Sequence, residues 1–261
     1  MARELRFLLA LWRANLQAAM EFRAAFLTQV VGMVVNNALY LLFWVVFFER
    51  FESVGGYGLR DVALLYGVAA GAIGLGVYLF GNTISLAEVI AEGRLDYYLA
   101  LPRPALLHVL ASRSVASGLG DASYGLITFL IIGPRTLDGA ARFALAVFCG
   151  AAVFVGFLVL VNSLAFWMGG ASQLSGQTLM AVITFATYPV TLFDGAARML
   201  LFTVMPAALI GSVPAAFVRS FGWAELAMLA AGAAVFLALA LLVFHRGLRR
   251  YESGSAITTQ S

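Results

Sequence analysis

Long apolar runs alternate with short charged segments along this chain, and the lengths of the runs decide how it is read. No charged residue occurs from Ala24 to Phe48, an interval that can cross a hydrocarbon core needing about twenty helical residues. Further runs of crossing length lie at 62–86, 114–134, 143–168, 172–193 and 223–244. With 24–48 they predict an all-α membrane protein of six transmembrane helices in one transmembrane domain covering 1–261. The fourth and fifth runs share one charge-free stretch, and the small polar string Gly169 to Thr178 marks the reversal between them.

Residues 1–23 follow a different pattern. Leu5, Leu9, Trp12 and Leu16 fall on one helical face, with Arg3, Arg6, Arg13, Gln17 and Glu21 roughly opposite. This predicts an amphipathic helix in the membrane interface, apolar side down. A helix packed on a cytoplasmic partner has the same pattern, and the two readings are compatible. Charge recurs too often here for a secretory signal core, so no cleavage is expected.

Met199 to Val218 is apolar and long enough to cross, but Pro206, Gly211 and Pro214 interrupt it. It reads either as a seventh span or as a broken hairpin, and charge placement decides. Arg246, Arg249 and Arg250 directly follow the last run, and the N-terminal helix is also Arg-rich, so both termini are placed in the cytoplasm and the number of crossings is even. Six crossings leave ten Arg inside (Arg3, Arg6, Arg13, Arg23, Arg94, Arg103, Arg113, Arg246, Arg249, Arg250) against six outside (Arg50, Arg60, Arg135, Arg142, Arg198, Arg219). Residues 194–220 then form an external re-entrant hairpin, whose broken backbone must be covered by protein or a cavity.

Composition agrees with a polytopic membrane protein: 62% hydrophobic and 11% charged residues, with a mean hydropathy of +0.95. All basic residues are Arg, and the net charge of +3 is too small to point to nucleic acid. The single Cys149 lies in an apolar run and predicts an inert buried thiol rather than a disulfide or metal site. The glycines of the second run include the Gly67/Gly71 pair, whose spacing favours close helix packing. They cannot form a phosphate loop, since that motif needs a Lys and the chain has none.

Three features carry candidate chemistry. The elbow 87–105 holds Glu88, Glu92, Arg94, Asp96 and Arg103 between two apolar runs and therefore belongs in water. Gly93 and Pro102 bracket a short helix displaying Tyr97, Tyr98, Leu99 and Leu101, a mixture that suits a protein contact or, equally, a solvated loop. Asn36 and Asn37 lie mid-span and should face protein or a cavity rather than acyl chains. Asp121 lies near the middle of the third run, either as a hydrogen-bonded structural carboxylate or as a coupling or substrate group.

Two stretches are similar to a known family. EGRLDYYLALPRP, Glu92 to Pro104, resembles the segment after the second span in permease subunits of ABC-2 type transporters. TYPVTLFDGAARMLLFTVMPAA, Thr187 to Ala208, resembles the hairpin region of a bacterial branch of that family. The resemblance implies the type V exporter arrangement: an interface helix, six spans, a coupling helix after span two and a re-entrant hairpin between spans five and six. It places the coupling helix at 93–102, with Glu88, Glu92, Gly93, Arg94, Leu95, Asp96, Tyr97, Tyr98, Leu99, Leu101, Pro102 and Arg103 meeting a nucleotide-binding ATPase subunit. That partner would bind ATP and Mg, and this chain would hold no cofactor, metal or catalytic residue. A second permease chain, identical or homologous, would complete the unit in the bacterial inner membrane. Asn36, Asn37, Tyr78, Asn82, Phe185 and Tyr188 are candidates for lining the path of an amphipathic or lipid-like substrate moved outward.

Two rivals come from other classes. An ion-coupled secondary transporter would use Asp121 or the Asp194/Arg198 pair, although no second polar cluster converges on Asp121 in the sequence. A membrane enzyme acting on lipid would need a metal or a base, and His108 and His245, the two histidines, both lie near the ends of apolar runs.

Overall fold

The computed structural model describes residues 2–251, and these are folded as thirteen α-helices with short 3-10 turns. Helix α1 (Ala2–Glu21) ends at a break around Phe22, and α2 (Arg23–Phe48) follows. Among α2's residues only Asn37 and Trp44 are buried, while Leu27, Val31, Leu39 and Phe43 stand exposed. A helix apolar on every side and packed on few neighbours is stable only against lipid or another chain.

The core is built on α3 (Leu59–Leu79) and α7 (Ser117–Ile132). Their backbones touch: a Cβ on Gly74 would lie 2.6 Å from the Gly118 carbonyl oxygen, and one on Gly125 would lie 2.5 Å from that of Gly67. Without side chains at these four positions the helices approach closely enough for dispersion contacts to hold them where lipid supplies no hydrophobic drive. Helix α8 (Leu137–Asn162) packs on α3 and on α13 (Trp223–Leu248), its Gly156 lying against the backbone of Phe236.

The apolar run ending at Leu86 is longer than its helix, which stops at Leu79. The chain is caught there from outside: the Gly81 amide donates to the Arg113 carbonyl at 2.9 Å, and the Asn82 amide donates to the Val109 carbonyl at 3.0 Å. A short turn leads into α4 (Leu86–Ala91), α5 (Leu95–Leu99) and α6 (Ala105–Ala111). Helix α9 (Ala171–Ala186) ends ahead of Pro189. Beyond it α10 (Gly195–Thr203), α11 (Ala207–Ile210) and α12 (Ser212–Arg219) form a broken unit, bent by 60° where Pro206 interrupts the apolar segment.

Four helices, α2, α3, α8 with its 3-10 extension and α13, are long and apolar enough to cross a membrane. The bent pair makes up to five, and α7 is a shorter apolar helix of 16 residues. Helix ends collect on two faces. On one, α1, the α4–α6 elbow, the end of α8 and Tyr251 beyond α13 meet, through Arg103 to Glu4, Ala87 to Asn162 and Phe166 to Tyr251. On the other, Arg219 pairs with Asp61 at 2.6 Å, Thr191 bonds to the Gly55 carbonyl, and Arg142 donates to the Phe217 and Val218 carbonyls.

Candidate functional site

The elbow is anchored on one side and exposed on the other. Leu95 is fully buried, and Leu86, Val89 and Ile90 join the core beneath it. Gly93 turns the chain between α4 and α5 with φ of +73°, a conformation that costs glycine little. Outward face Glu88, Glu92, Arg94, Leu99 and Pro102, and Tyr97 is 66% exposed. Arg94 pairs with Glu92 at 2.6 Å with both side chains more than half exposed, so the pair adds little stability. A shallow depression of about 330 Å³ opens between Val89, Gly93, Arg94, Tyr97 and Tyr98.

The two tyrosines have different places. Tyr97 projects outward, whereas the Tyr98 hydroxyl donates to Ser112 Oγ at 3.0 Å and its ring stands edge-on to His108 at 5.2 Å. Leu101 is half-buried, and Arg103 is turned inward onto α1, with its guanidinium 4.8 Å above the Phe7 ring. Burial and the nearby Arg103 charge both lower the pKa of His108 below the ordinary imidazole value. The end of the α13 segment lies beside the elbow, where burial and the Asp96 carboxylate raise the pKa of Tyr251 to about 12.

Three other ties hold the inner side. Trp12 Nε1 donates to the Leu79 carbonyl at 2.7 Å, Asn15 donates to the Ala111 carbonyl at 3.0 Å, and the Ala87 amide donates to Asn162 Oδ1 at 3.0 Å. Sequence reasoning did not single out Asn15, Asn162 or Tyr251. Asn162, a polar residue at the end of a long apolar run, was the one visible signal.

A second polar cluster lies within the helices. Asn37 Nδ2 donates to Asp121 Oδ1 at 2.6 Å, and the Tyr66 hydroxyl donates to Asn37 Oδ1 at 2.7 Å. The Tyr40 ring stacks on Tyr66 at 5.2 Å, and its hydroxyl is 3.2 Å from that of Tyr188. These groups border a cavity of about 230 Å³ between α2, α3, α7 and α9. Of the six path candidates, Asn36 and Asn37 line it and Tyr188 reaches it through Tyr40. Phe185 packs on Phe193, Tyr78 lies beside Gly118, and Asn82 is held under the elbow by Val109 and Ser112; none of the three lines the cavity. Tyr40 and Tyr66 were missed, because ring position on a helix inside the bundle leaves no mark in a run of apolar neighbours. Asp194 and Arg198 are exposed. Among the described residues no group of three His, Cys, Asp or Glu is placed to hold a metal.

Comparison with protein families finds a match: a model described as ABC-2 family transporter protein covers residues 34–255, a span that includes the elbow and all of the cavity lining but Met33. Neither the curated proteins nor the solved structures return a match. The family fits a multi-pass membrane protein that is the permease component of an ABC transporter. The chain belongs to the ABC-2 family of transporter proteins.

Proposed function

We propose that this permease is moved by a separate ATPase subunit that seats on the exposed side of the elbow, at Glu88, Glu92, Arg94, Tyr97, Leu99 and Pro102. The observation that carries the reading is mechanical. The elbow's outer side is free for a partner, while its inner side is bonded to α1 through Glu4 and to α8 through Asn162, and the end of the α13 segment lies beside it at Tyr251. Displacing so small a body shifts all three together, and ATP binding by the partner then favours one arrangement of the spans because the elbow contacts differ between states.

In this reading the membrane is the bacterial inner membrane and the elbow and both termini are cytoplasmic. Six crossings agree with the gathering of helix ends on two faces, with α10–α12 as the re-entrant unit of a type V exporter. Two permease chains, identical or homologous, and two ATPase chains make the working unit, and the exposed sides of α2 are what a second permease or lipid would cover. ATP and Mg belong to the partner, since the chain has no Lys for a phosphate loop. The cargo is amphipathic and moves outward, in keeping with an interior where Asp121 is the one charged side chain buried among the described residues.

Co-purification tests this. Tyr97→Ala combined with Leu99→Ala is expected to lose the ATPase subunit and abolish transport while the permease stays folded. Retention of the ATPase by that variant would overturn the elbow assignment.

A further inference from the structure

We infer that the cavity bordered by Asp121 binds a protonated amine, so that the cargo carries an N–H-bearing cationic head on an apolar body. This deepens the transport reading and rests on it. The inference follows from counting hydrogen-bonding capacity around the cavity.

The donors in its wall are mostly committed to the protein. Asn37 gives an N–H to Asp121, and the Tyr66 hydroxyl gives its proton to Asn37. Thr184 donates to the Met180 carbonyl at 2.8 Å, and Thr187 donates to the Thr184 carbonyl at 2.7 Å. What remains is chiefly acceptor: lone pairs of the Asp121 carboxylate, of the Tyr66 oxygen and of the two threonine oxygens, against which stand the second N–H of Asn37 and the Tyr40 hydroxyl, itself 3.2 Å from that of Tyr188. Asn36 alone brings a side-chain amide for which no bond within the protein is found among the described residues, and it stands exposed in mid-helix, where lipid offers no partner.

Charge points the same way. Asp121 is 8% exposed, and no Arg or His lines the cavity. A carboxylate in such a place is costly unless a proton neutralises it or a cation joins it, and a cation also meets the acceptors left over. The cavity is open on the α2 and α9 side, where Asn36 and Thr184 are exposed, so a ligand can enter from there. An ammonium group satisfies all these conditions at once: it supplies the missing charge and up to three donors for the acceptors left over. A volume of about 230 Å³ takes such a head and the first carbons of its chain, with Met33, Ala70, Ile73 and Ile183 as the apolar part of the wall.

The test is equilibrium binding of dodecylamine to the purified permease in lipid nanodiscs, compared with dodecanol and dodecyltrimethylammonium. The wild-type protein is expected to bind the amine at least about tenfold more tightly than either analogue, the worth of one buried charge-assisted contact. Asp121→Asn keeps an oxygen for the Asn37 bond but removes the charge, and is expected to lose that preference. Thr184→Val, which leaves the Asp121–Asn37–Tyr66 chain intact, is expected to weaken the amine about threefold and spare dodecanol. Equal binding of the amine by wild type and Asp121→Asn overturns the inference. So does dodecyltrimethylammonium matching the amine, because charge without N–H donors would then suffice. No ATPase enters this measurement, so its failure leaves the elbow reading standing, and loss of elbow docking leaves the binding result unaffected.

Discussion

Arg103 of the elbow and Glu4 of the N-terminal helix form a 3.0 Å ion pair, with the guanidinium also 4.8 Å above the Phe7 ring. An amphipathic helix that the sequence assigns to the membrane interface is thereby fastened to the elbow, the segment on which we propose the motor acts. The pair is partly shielded and its cation is additionally stacked, so it is worth more than an open surface pair.

Arg103→Gln is therefore expected to destabilise the permease by about 1 kcal/mol. Its larger effect falls on coupling: ATP consumption per transported molecule rises severalfold, because α1 no longer follows the elbow. Purified complex in proteoliposomes, with hydrolysis and transport measured together, checks this.

Tyr97 and Tyr98 are neighbours with opposite surroundings, so their substitutions separate. Tyr98→Phe removes the bond to Ser112 Oγ and is expected to lower stability by about 1 kcal/mol while the ATPase subunit remains attached. Tyr97→Ala is expected to leave stability unchanged and reduce attachment. Thermal unfolding and affinity co-purification, run on both variants, show the split.

The α3–α7 contact has no room for a methyl group. Gly74→Ala places its Cβ against Asp121 and the Gly118 backbone, neither of which is a flexible side-chain end. A loss of about 1–3 kcal/mol is expected from overpacking, seen as a lower midpoint of thermal unfolding. Gly56→Ala is a poor control, since Gly56 has φ of +82°, whereas Gly32→Ala, inside α2, meets nothing within 4 Å and is expected to be neutral or slightly stabilising.

His108 makes the elbow sensitive to acid. Its pKa is held below the ordinary value of 6.5 by burial and by Arg103, so the folded elbow binds fewer protons than the unfolded one just below that pH. Stability is then full above about 6.5 and falls as pH drops toward the depressed value. Hydrogen-exchange protection over residues 95–111, corrected for the intrinsic pH dependence of amide exchange, is expected to fall between pH 7.5 and 5.5, and His108→Asn is expected to flatten the change.

The element pattern was legible where it depends on local periodicity or charge. The first helix followed from Leu5, Leu9 and Trp12 against Arg3, Arg6 and Arg13, and the close helix packing followed from the Gly67/Gly71 spacing. Less visible was everything set by distant partners. Helix α3 stops at Leu79 because Arg113 and Val109 take up the backbone and side-chain groups of Gly81 and Asn82. The cluster around Asp121 unites residues 84 positions apart in one bond and 29 in another, and no window of sequence holds both partners. Asp121 and Asn37 were each singled out, yet the bond between them and the Tyr66 hydroxyl behind it had to be seen in space. The difference between Tyr97 and Tyr98 follows from where Ser112 and His108 lie, which a short segment between turns does not reveal.

An elbow that faces the motor's compartment and is covered by the motor has an accessibility that can be read chemically. A Tyr97→Cys variant in a Cys149→Ser background is treated with a membrane-impermeant maleimide. No labelling is expected in intact cells, rapid labelling in inside-out vesicles stripped of the ATPase subunit, and protection when that subunit is restored. Labelling at position 97 from outside intact cells, or an absence of protection by the ATPase, would show that the elbow does not receive the motor.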